Sequence, residues 1–349
     1  MSKKVVFFPN SSVWDNNEFY LNLKTSIIKN EVEILEGVGD HLDLNWLFKN
    51  KGVVDVLHFH WIQYHYMSNE EWSVKKLLAF SSKLILARLA GYKIVWTVHN
   101  LYPHDTKNKL IDFIARKVVL GVSNSVIVMT EKAKGLIREE FGRKKKIFTI
   151  PHGRYYFDLQ DIDTDQVRDK YELPKDAIVF ICFGNIRDYK NIPFIISEFQ
   201  KVNGGEKKLH LIIAGNPASN AMRNSITNDI DPQSKNKIQC IMKFVEKSEL
   251  DQLLAVSDIG IFSFRDILNS GSLIEAMSAG LAVVAPNIGS VTELVSDEVG
   301  VVFEENRLKE ALESIIELDY ISLGENAEKQ MGKLDWDQIG KSTVKVYNS

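Results

Sequence analysis

Short apolar runs alternate with helix-length amphipathic stretches from one end of the chain to the other, and this alternation restricts the fold more than any other feature. In the first half, strand-like runs lie near 3–9, 32–36, 54–60, 93–99, 125–130 and 147–151. Helical stretches such as 17–29, 72–90, 108–120 and 131–141 separate them. Val54 to Phe59 and Lys93 to Val98 are nearly continuous apolar runs, as strands covered on both faces require. Residues 152–176 break the rhythm. They are acidic, polar and aromatic, contain Pro174, and read as a connection with one short helix. Strands then recur near 177–183, 209–215, 237–244, 259–264, 281–286 and 299–303. Helices recur near 192–202, 248–257, 272–279 and 306–318, and LDWDQIGKSTVKVY reads as a last amphipathic helix. This pattern predicts parallel sheets with crossover helices. A length of 349 residues suits two such α/β domains. The expected divisions are 1–160, 161–330 and a closing helix in 331–349.

Composition narrows the function. A net charge of −3 exerts no global pull on nucleic acid, so no nucleic-acid partner is expected. Any attraction to an anionic membrane has to be local. Residues 132–146 offer one such place, with seven basic and two acidic side chains, although a solvated helix end explains them equally simply. Cys182 and Cys240 sit in apolar runs and read as small buried hydrophobes, consistent with a reducing, cytoplasmic location. The apolar run after the first lysines ends at Pro9, too soon for a signal core. Leu77 to Ala90 is the most apolar long stretch, but Lys83 and Arg88 interrupt it, so it reads as an amphipathic helix.

Ligands of open parallel sheets bind beyond the carboxyl ends of the strands. The most informative such place is SFRDILNSGSLIEAMSAGLAVVAPNIGSVTELV, residues 263–295. A strand gives way to the small-residue loop Asn269 to Ser272, and a helix follows. Gly271 removes a Cβ there, and helix-start N–H groups suit a diphosphate. The plainer reading is that Ser270 or Ser272 only caps the helix. Glu275 lies just beyond the first turn among apolar neighbours, where ribose hydroxyls would supply donors. A second place is CFGNIRDYKNIPFII: Gly184 ends a strand, and Arg187 and Lys190 follow on the loop. Two cations there suit a pyrophosphate and the charge on a departing diphosphate, unless both are merely solvated. A third is histidine placement. His58, His60, His99 and His152 end apolar runs, with His65 and His104 nearby. One such histidine is usually structural, but the shared position points to the binding face. A zinc cluster is the weaker reading, since no helical two-histidine pattern accompanies them, and no metal site is expected.

Taken together these motifs resemble family-4 type glycosyltransferases of the GT-B fold, over nearly the whole chain. The carboxyl half carries the glycine and basic loop at Gly184 to Lys190, LHLIIAG, VSDIGIFSF and IEAMSAGLAVVAPNIGSVTELV. The amino half is similar to bacterial exopolysaccharide transferases through VLHFHW, TVHNLYPHD and IPHGRYYF. The resemblance implies two Rossmann-like domains with the active site in a cleft between them, acceptor side first and donor side second. It implies that the last helix, near Trp336, crosses back onto the first domain. Arg187 and Lys190 would contact the donor diphosphate, with Gly184 and Asn185 beside them. Ser270, Gly271 and Ser272 would bind the distal phosphate, Glu275 the ribose, and Lys243, Phe244 and Val245 would flank the base. His99 would approach the donor sugar, while Asn16, Asn17, His60, Asp105 and His152 would line the acceptor side. Two positions depart from the family: Ile267 stands where an earlier glutamate is usual, and Asn185 where an arginine is usual.

The expected activity is therefore transfer of a sugar from a UDP- or GDP-linked donor to a saccharide acceptor, lipid-linked in surface polysaccharide synthesis, on the inner face of the cell membrane. No cofactor is expected beyond the nucleotide-sugar co-substrate. The resemblance implies a metal-independent, retaining reaction. Inversion would need a side-chain base, for which Asp105 or a strand-end histidine is the candidate. A nucleotide-sugar epimerase of similar fold is the competing enzyme. A degenerate transferase acting as a binding partner is the non-enzymatic alternative. A nicotinamide dehydrogenase fits poorly, because no G-x-G-x-x-G follows the first strand.

Overall fold

The computed structural model describes residues 2–10, 17–36, 38–68, 71–103 and 108–349. The chain divides into two compact units, Met1–Gly153 with Leu334–Ser349, and Arg154–Lys333. The division thus falls at 153/154 and 333/334, where the sequence suggested 160/161 and 330/331.

In the first unit β1 (Lys3–Phe8), β2 (Val32–Ile34), β3 (Val56–Phe59), β6 (Lys93–Thr97), β7 (Ser125–Val128) and β8 (Ile147–Thr149) form a parallel sheet. A two-residue antiparallel pair, β4 (Met67–Ser68) and β5 (Glu71–Trp72), lies outside it. The sheet order is β2-β1-β3-β6-β7-β8, so the direction of winding reverses between β1 and β3. Val5 to Phe8 of β1 and all of β3 are buried, and apart from His58 they are apolar. Val5, Phe7 and Val56 join Leu23 and Ile27 of the Glu18–Ile28 helix in one core cluster. The last helix, Trp336–Asn348, contributes Trp336, Ile339, Val346 and Tyr347 to that same cluster, so the end of the chain is part of the first unit. Gly153 permits this docking: a Cβ there would lie 2.3 Å from the Trp336 ring. The buried Arg116 guanidinium is held by Tyr66 and Asp112 and donates to the Leu101 carbonyl, which steadies the chain just after His99.

The second unit is built from β9 (Ala177–Phe183), β10 (Lys208–Ala214), β11 (Lys237–Ile241), β12 (Ile259–Ile261), β13 (Ala282–Pro286) and β14 (Gly300–Phe303). All its strand pairs are parallel, in the order β11-β10-β9-β12-β13-β14, so winding reverses between β9 and β12. All seven residues of β9 are buried, as its central place in the sheet requires. Phe180, Leu211 and Ile261 of this sheet pack with Ile195 and Phe199 of the Ile192–Phe199 helix.

Both sheets match the strands expected from sequence, most of them trimmed at one or both ends. The helices at Leu44–Lys49, Asn220–Asn228 and Tyr320–Gly332 were not anticipated.

Candidate functional site

In the second unit the reversal between β9 and β12 gathers the expected donor-side residues. Gly184 follows β9 at φ 87°, a left-handed conformation suited to glycine. Gly215, after β10, closes on it so tightly that a Cβ would lie 2.0 Å from the Gly184 carbonyl oxygen. Lys190 folds back over this turn. A Cβ on Gly184 would sit 2.9 Å from its Nζ, and the ammonium donates to the Phe183 carbonyl. Lys190 is only 5% exposed, and its partner there is a neutral carbonyl rather than a carboxylate. Burial lowers its pKa, against the opposing pull of Cys182 and Glu275. A desolvated cation so held gains most from an incoming anion.

The segment after β12 completes the arrangement. Arg265 N–H donates to the Tyr189 carbonyl at 2.8 Å, tying this loop to the one that carries Lys190. A turn from the far side pins its other end: Gly289, at φ 52°, lies against the Ile267 carbonyl, and Ser290 donates to the Leu268 carbonyl. Ser270 then caps the Gly271–Ser278 helix, its Oγ accepting from Leu273 N–H at 3.1 Å and lying 3.3 Å from Ser272 Oγ. The capping role is therefore real, and it leaves the Gly271 and Ser272 N–H groups at the head of the helix, where no intrahelical acceptor exists. Glu275 is half-buried one turn along and acts electrostatically on Lys190, so the helix start and the cation share one neighbourhood. Beyond β11, Phe244 is 67% exposed beside the half-buried Val245, and Lys243 is engaged with Glu249 at 2.8 Å. The ring is a free aromatic platform of the kind a base stacks on.

Three details differ from the sequence-based expectation. Arg187 influences Lys190, but its guanidinium donates to the Ile186 and Asn216 carbonyls, at 3.0 and 3.4 Å. With Arg265 it lines a separate cavity of about 420 Å³ floored by Ile192, Met222 and Ile226. Arg265 escaped notice, although it directly follows the strand predicted over 259–264, which was the signal. Tyr155 was also missed: its hydroxyl lies 3.1 Å from where a Gly271 Cβ would be, and its N–H donates to Ser278. Ile267, at the departure from the family pattern, is buried, while Asn185 is exposed.

In the first unit the strand-end histidines do gather, with unlike roles. His58 is fully satisfied, Nδ1 against the Tyr347 hydroxyl at 2.7 Å and Nε2 against Thr97 at 2.8 Å, so it is structural. His60 Nδ1 meets His99 Nε2 at 3.0 Å, and His60 Nε2 is buried with no partner among the described residues. His99 stacks on Trp61 with centroids 4.3 Å apart, and Phe19 packs edge-on against both His99 and Trp336. His152 bonds the Gly153 carbonyl at 2.6 Å. Burial, chiefly, lowers all of these pKa values: His58 to about 3, His152 to about 4, His60 and His99 well below the usual value. The rings are therefore neutral near pH 7, and burial makes each of them a weak base. Asn17 caps the Glu18–Ile28 helix, its side chain accepting from Tyr20 N–H, and so shapes the entry to this surface. Asn16, His104 and Asp105 lie outside the described residues.

Residues 163–333 match the family model described as glycosyl transferases group 1. A GDP-mannose:glycolipid 4-beta-D-mannosyltransferase of Xanthomonas campestris pv. campestris is 26% identical over 307 residues, covering 84% of this chain and 79% of that protein. The phosphatidylinositol N-acetylglucosaminyltransferase GPI3 subunit of Saccharomyces cerevisiae is 23% identical over 287 residues, 76% of this chain and 60% of its own length. Among solved structures, Anabaena Alr3699/HepE in complex with UDP superposes with a TM-score of 0.70 at 15% identity, covering 99% of each chain. A glycosyltransferase from Rickettsia africae gives 0.70 at 16% identity, over 99% of this chain and 98% of its own. These two likenesses establish the GT-B fold.

Proposed function

We propose that this glycosyltransferase, whose residues 163–333 form a group 1 domain, moves a hexosyl group from a nucleotide diphosphate donor to a glycolipid acceptor. The observation that carries the reading is Lys190, a buried cation resting on a carbonyl within electrostatic reach of the Gly271–Ser278 helix. In this reading Lys190 and the Gly271 and Ser272 N–H groups hold the two phosphates and stabilise the diphosphate as it departs. Glu275 receives the ribose hydroxyls and Phe244 flanks the base. The Xanthomonas relative makes GDP-mannose the first donor to try, and its glycolipid acceptor supports a lipid-linked acceptor here. His60 and His152 are proposed for the acceptor side, and His99 for the donor sugar.

The protein residues above carry the diphosphate charge in this proposal, and transfer proceeds with retention, the leaving phosphate taking the acceptor proton. One observation favours a second reading. The name of the Xanthomonas relative carries a β-linked product, and a β product from an α-linked donor is an inversion. Inversion requires a base, for which Asp105 or a strand-end histidine is the candidate. Incubation with GDP-mannose, UDP-glucose and UDP-N-acetylglucosamine, with and without a glycolipid acceptor, tests the proposal. Acceptor-dependent release of GDP or UDP is expected, and NMR of the product anomer separates retention from inversion. Conversion of the sugar nucleotide without acceptor would make the chain an epimerase. Neither turnover nor nucleotide binding would make it a degenerate binding partner.

A further inference from the structure

Tyr155 is the second residue of the Arg154–Lys333 unit. Its main chain is clamped to the far end of the Gly271–Ser278 helix. The Tyr155 N–H donates to Ser278 Oγ at 3.1 Å, and that hydroxyl donates in turn to the Ile274 carbonyl at 2.7 Å. Ser278 is buried, so the clamp is shielded from water. The tyrosine side chain returns toward the other end of the same helix. Gly271 and Ser278 are about 10 Å apart along the axis, from seven rises of about 1.5 Å. Yet the Tyr155 hydroxyl lies 3.1 Å from where a Cβ on Gly271 would be. Apart from the helix itself and the chain neighbours, no other atom of the described residues comes within 4 Å of that point. Tyr155 therefore spans the helix and leaves its one polar side-chain atom over the first helical residue.

That place has its own chemistry. The Gly271 and Ser272 N–H groups have no intrahelical acceptor there, and Ser270 Oγ is already engaged by Leu273 N–H. The field at a helix start favours negative charge. A phenolic O–H adds a donor without adding a charge that burial would penalise. Packing along the helix needs only the ring, whereas it is the hydroxyl that reaches the helix start. A methyl at Gly271 would press on that hydroxyl, so the glycine keeps the close approach open.

We infer that the Tyr155 hydroxyl donates a hydrogen bond to the distal phosphate of the nucleotide, beside the Gly271 and Ser272 N–H groups. The inference rests on the diphosphate reading above and adds to that site a residue from a separate segment of the chain. It also supplies a means of telling a nucleoside diphosphate from a monophosphate. The phosphate that Tyr155 meets is the one a monophosphate lacks.

Calorimetry with GDP, GMP, UDP and UMP, on the full chain and on its Tyr155→Phe variant, is the test. A hydrogen bond to a charged group corresponds to about 10- to 150-fold in affinity. The variant should bind the diphosphate that the parent prefers at least about tenfold more weakly. The matching monophosphate, titrated at millimolar concentration, should bind as before, and the melting temperature should not move. Equal weakening of diphosphate and monophosphate, as a merely structural role would give, overturns the inference. So does diphosphate binding lost together with melting temperature. Unchanged diphosphate binding overturns it as well, and tighter binding would mark the hydroxyl as a placeholder at the helix start. In those cases the parent still binds a diphosphate, and this inference falls alone. A parent that binds neither GDP nor UDP removes the diphosphate reading and this inference with it.

Discussion

Replacing Lys190 by methionine separates a ligand-binding cation from a structural one. The ammonium is buried, and its fold contact is a hydrogen bond to the Phe183 carbonyl. Methionine fills similar space without a charge. Loss of that charge-assisted bond costs about 1.5–3 kcal/mol, offset by no longer desolvating an ammonium, so the melting temperature should change little. Binding behaves differently. A hydrogen bond to a charged group contributes about 1.5–3 kcal/mol, so the affinity for GDP or UDP should fall about 10- to 150-fold. The pH dependence adds a check. Burial lowers the Lys190 pKa, so the unfolded chain binds that proton more tightly than the folded one. Stability of the free protein therefore rises with pH toward the ordinary lysine value, and the variant lacks that increment. Calorimetry with each nucleotide and thermal melts across pH measure both effects. A variant that binds nucleotide as the parent does refutes the assignment, and so does one whose lost binding merely follows lost folding.

Three other outcomes are expected. Phe244→Ala removes an exposed ring and should weaken nucleotide binding about 3- to 12-fold with no change in melting temperature, measured by calorimetry. Gly153→Ala places a methyl 2.3 Å from the Trp336 ring, so it should destabilise the first unit by about 1–3 kcal/mol in urea titration. Acid should destabilise the chain. His58, His65 and His152 have folded pKa values near 3, 3 and 4, below the ordinary 6.5, so the unfolded state binds more protons between those limits. Stability present above pH 6.5 is then lost as pH falls, by about 2 kcal/mol per histidine at pH 5. Replacing His58 by glutamine should flatten the profile measured by melting.

The fold was legible because strand burial leaves a plain record: β9 is apolar at every position, and Leu211 to Ala214 of its neighbour β10 are apolar and buried. What escaped were elements whose contacts use small residues. The Tyr320–Gly332 helix packs through Gly324 and Ala327, and a Cβ on Gly324 would lie 2.1 Å from the Gly280 carbonyl, so no apolar period announces it. At the candidate site, Ser270, Gly271 and Lys190 could be read because strand ends and helix starts place them. Arg187 could not be oriented from sequence, since only the fold shows its guanidinium turned onto two carbonyls. Tyr155 was invisible for a similar reason: it reaches Gly271 across 116 positions of chain by tertiary packing alone. Among the histidines, period two correctly placed His58 and His60 together. It could not tell that Tyr347 and Thr97 satisfy one while the other is left with a bare nitrogen.

The diphosphate site itself is tested most directly by a crystal structure of the chain with bound GDP or UDP. Phosphate oxygens within hydrogen-bond distance of Lys190 Nζ and of the Gly271 or Ser272 N–H are predicted. Phosphates lodged instead between Arg187 and Arg265, with Lys190 still turned to the Phe183 carbonyl, would contradict the account.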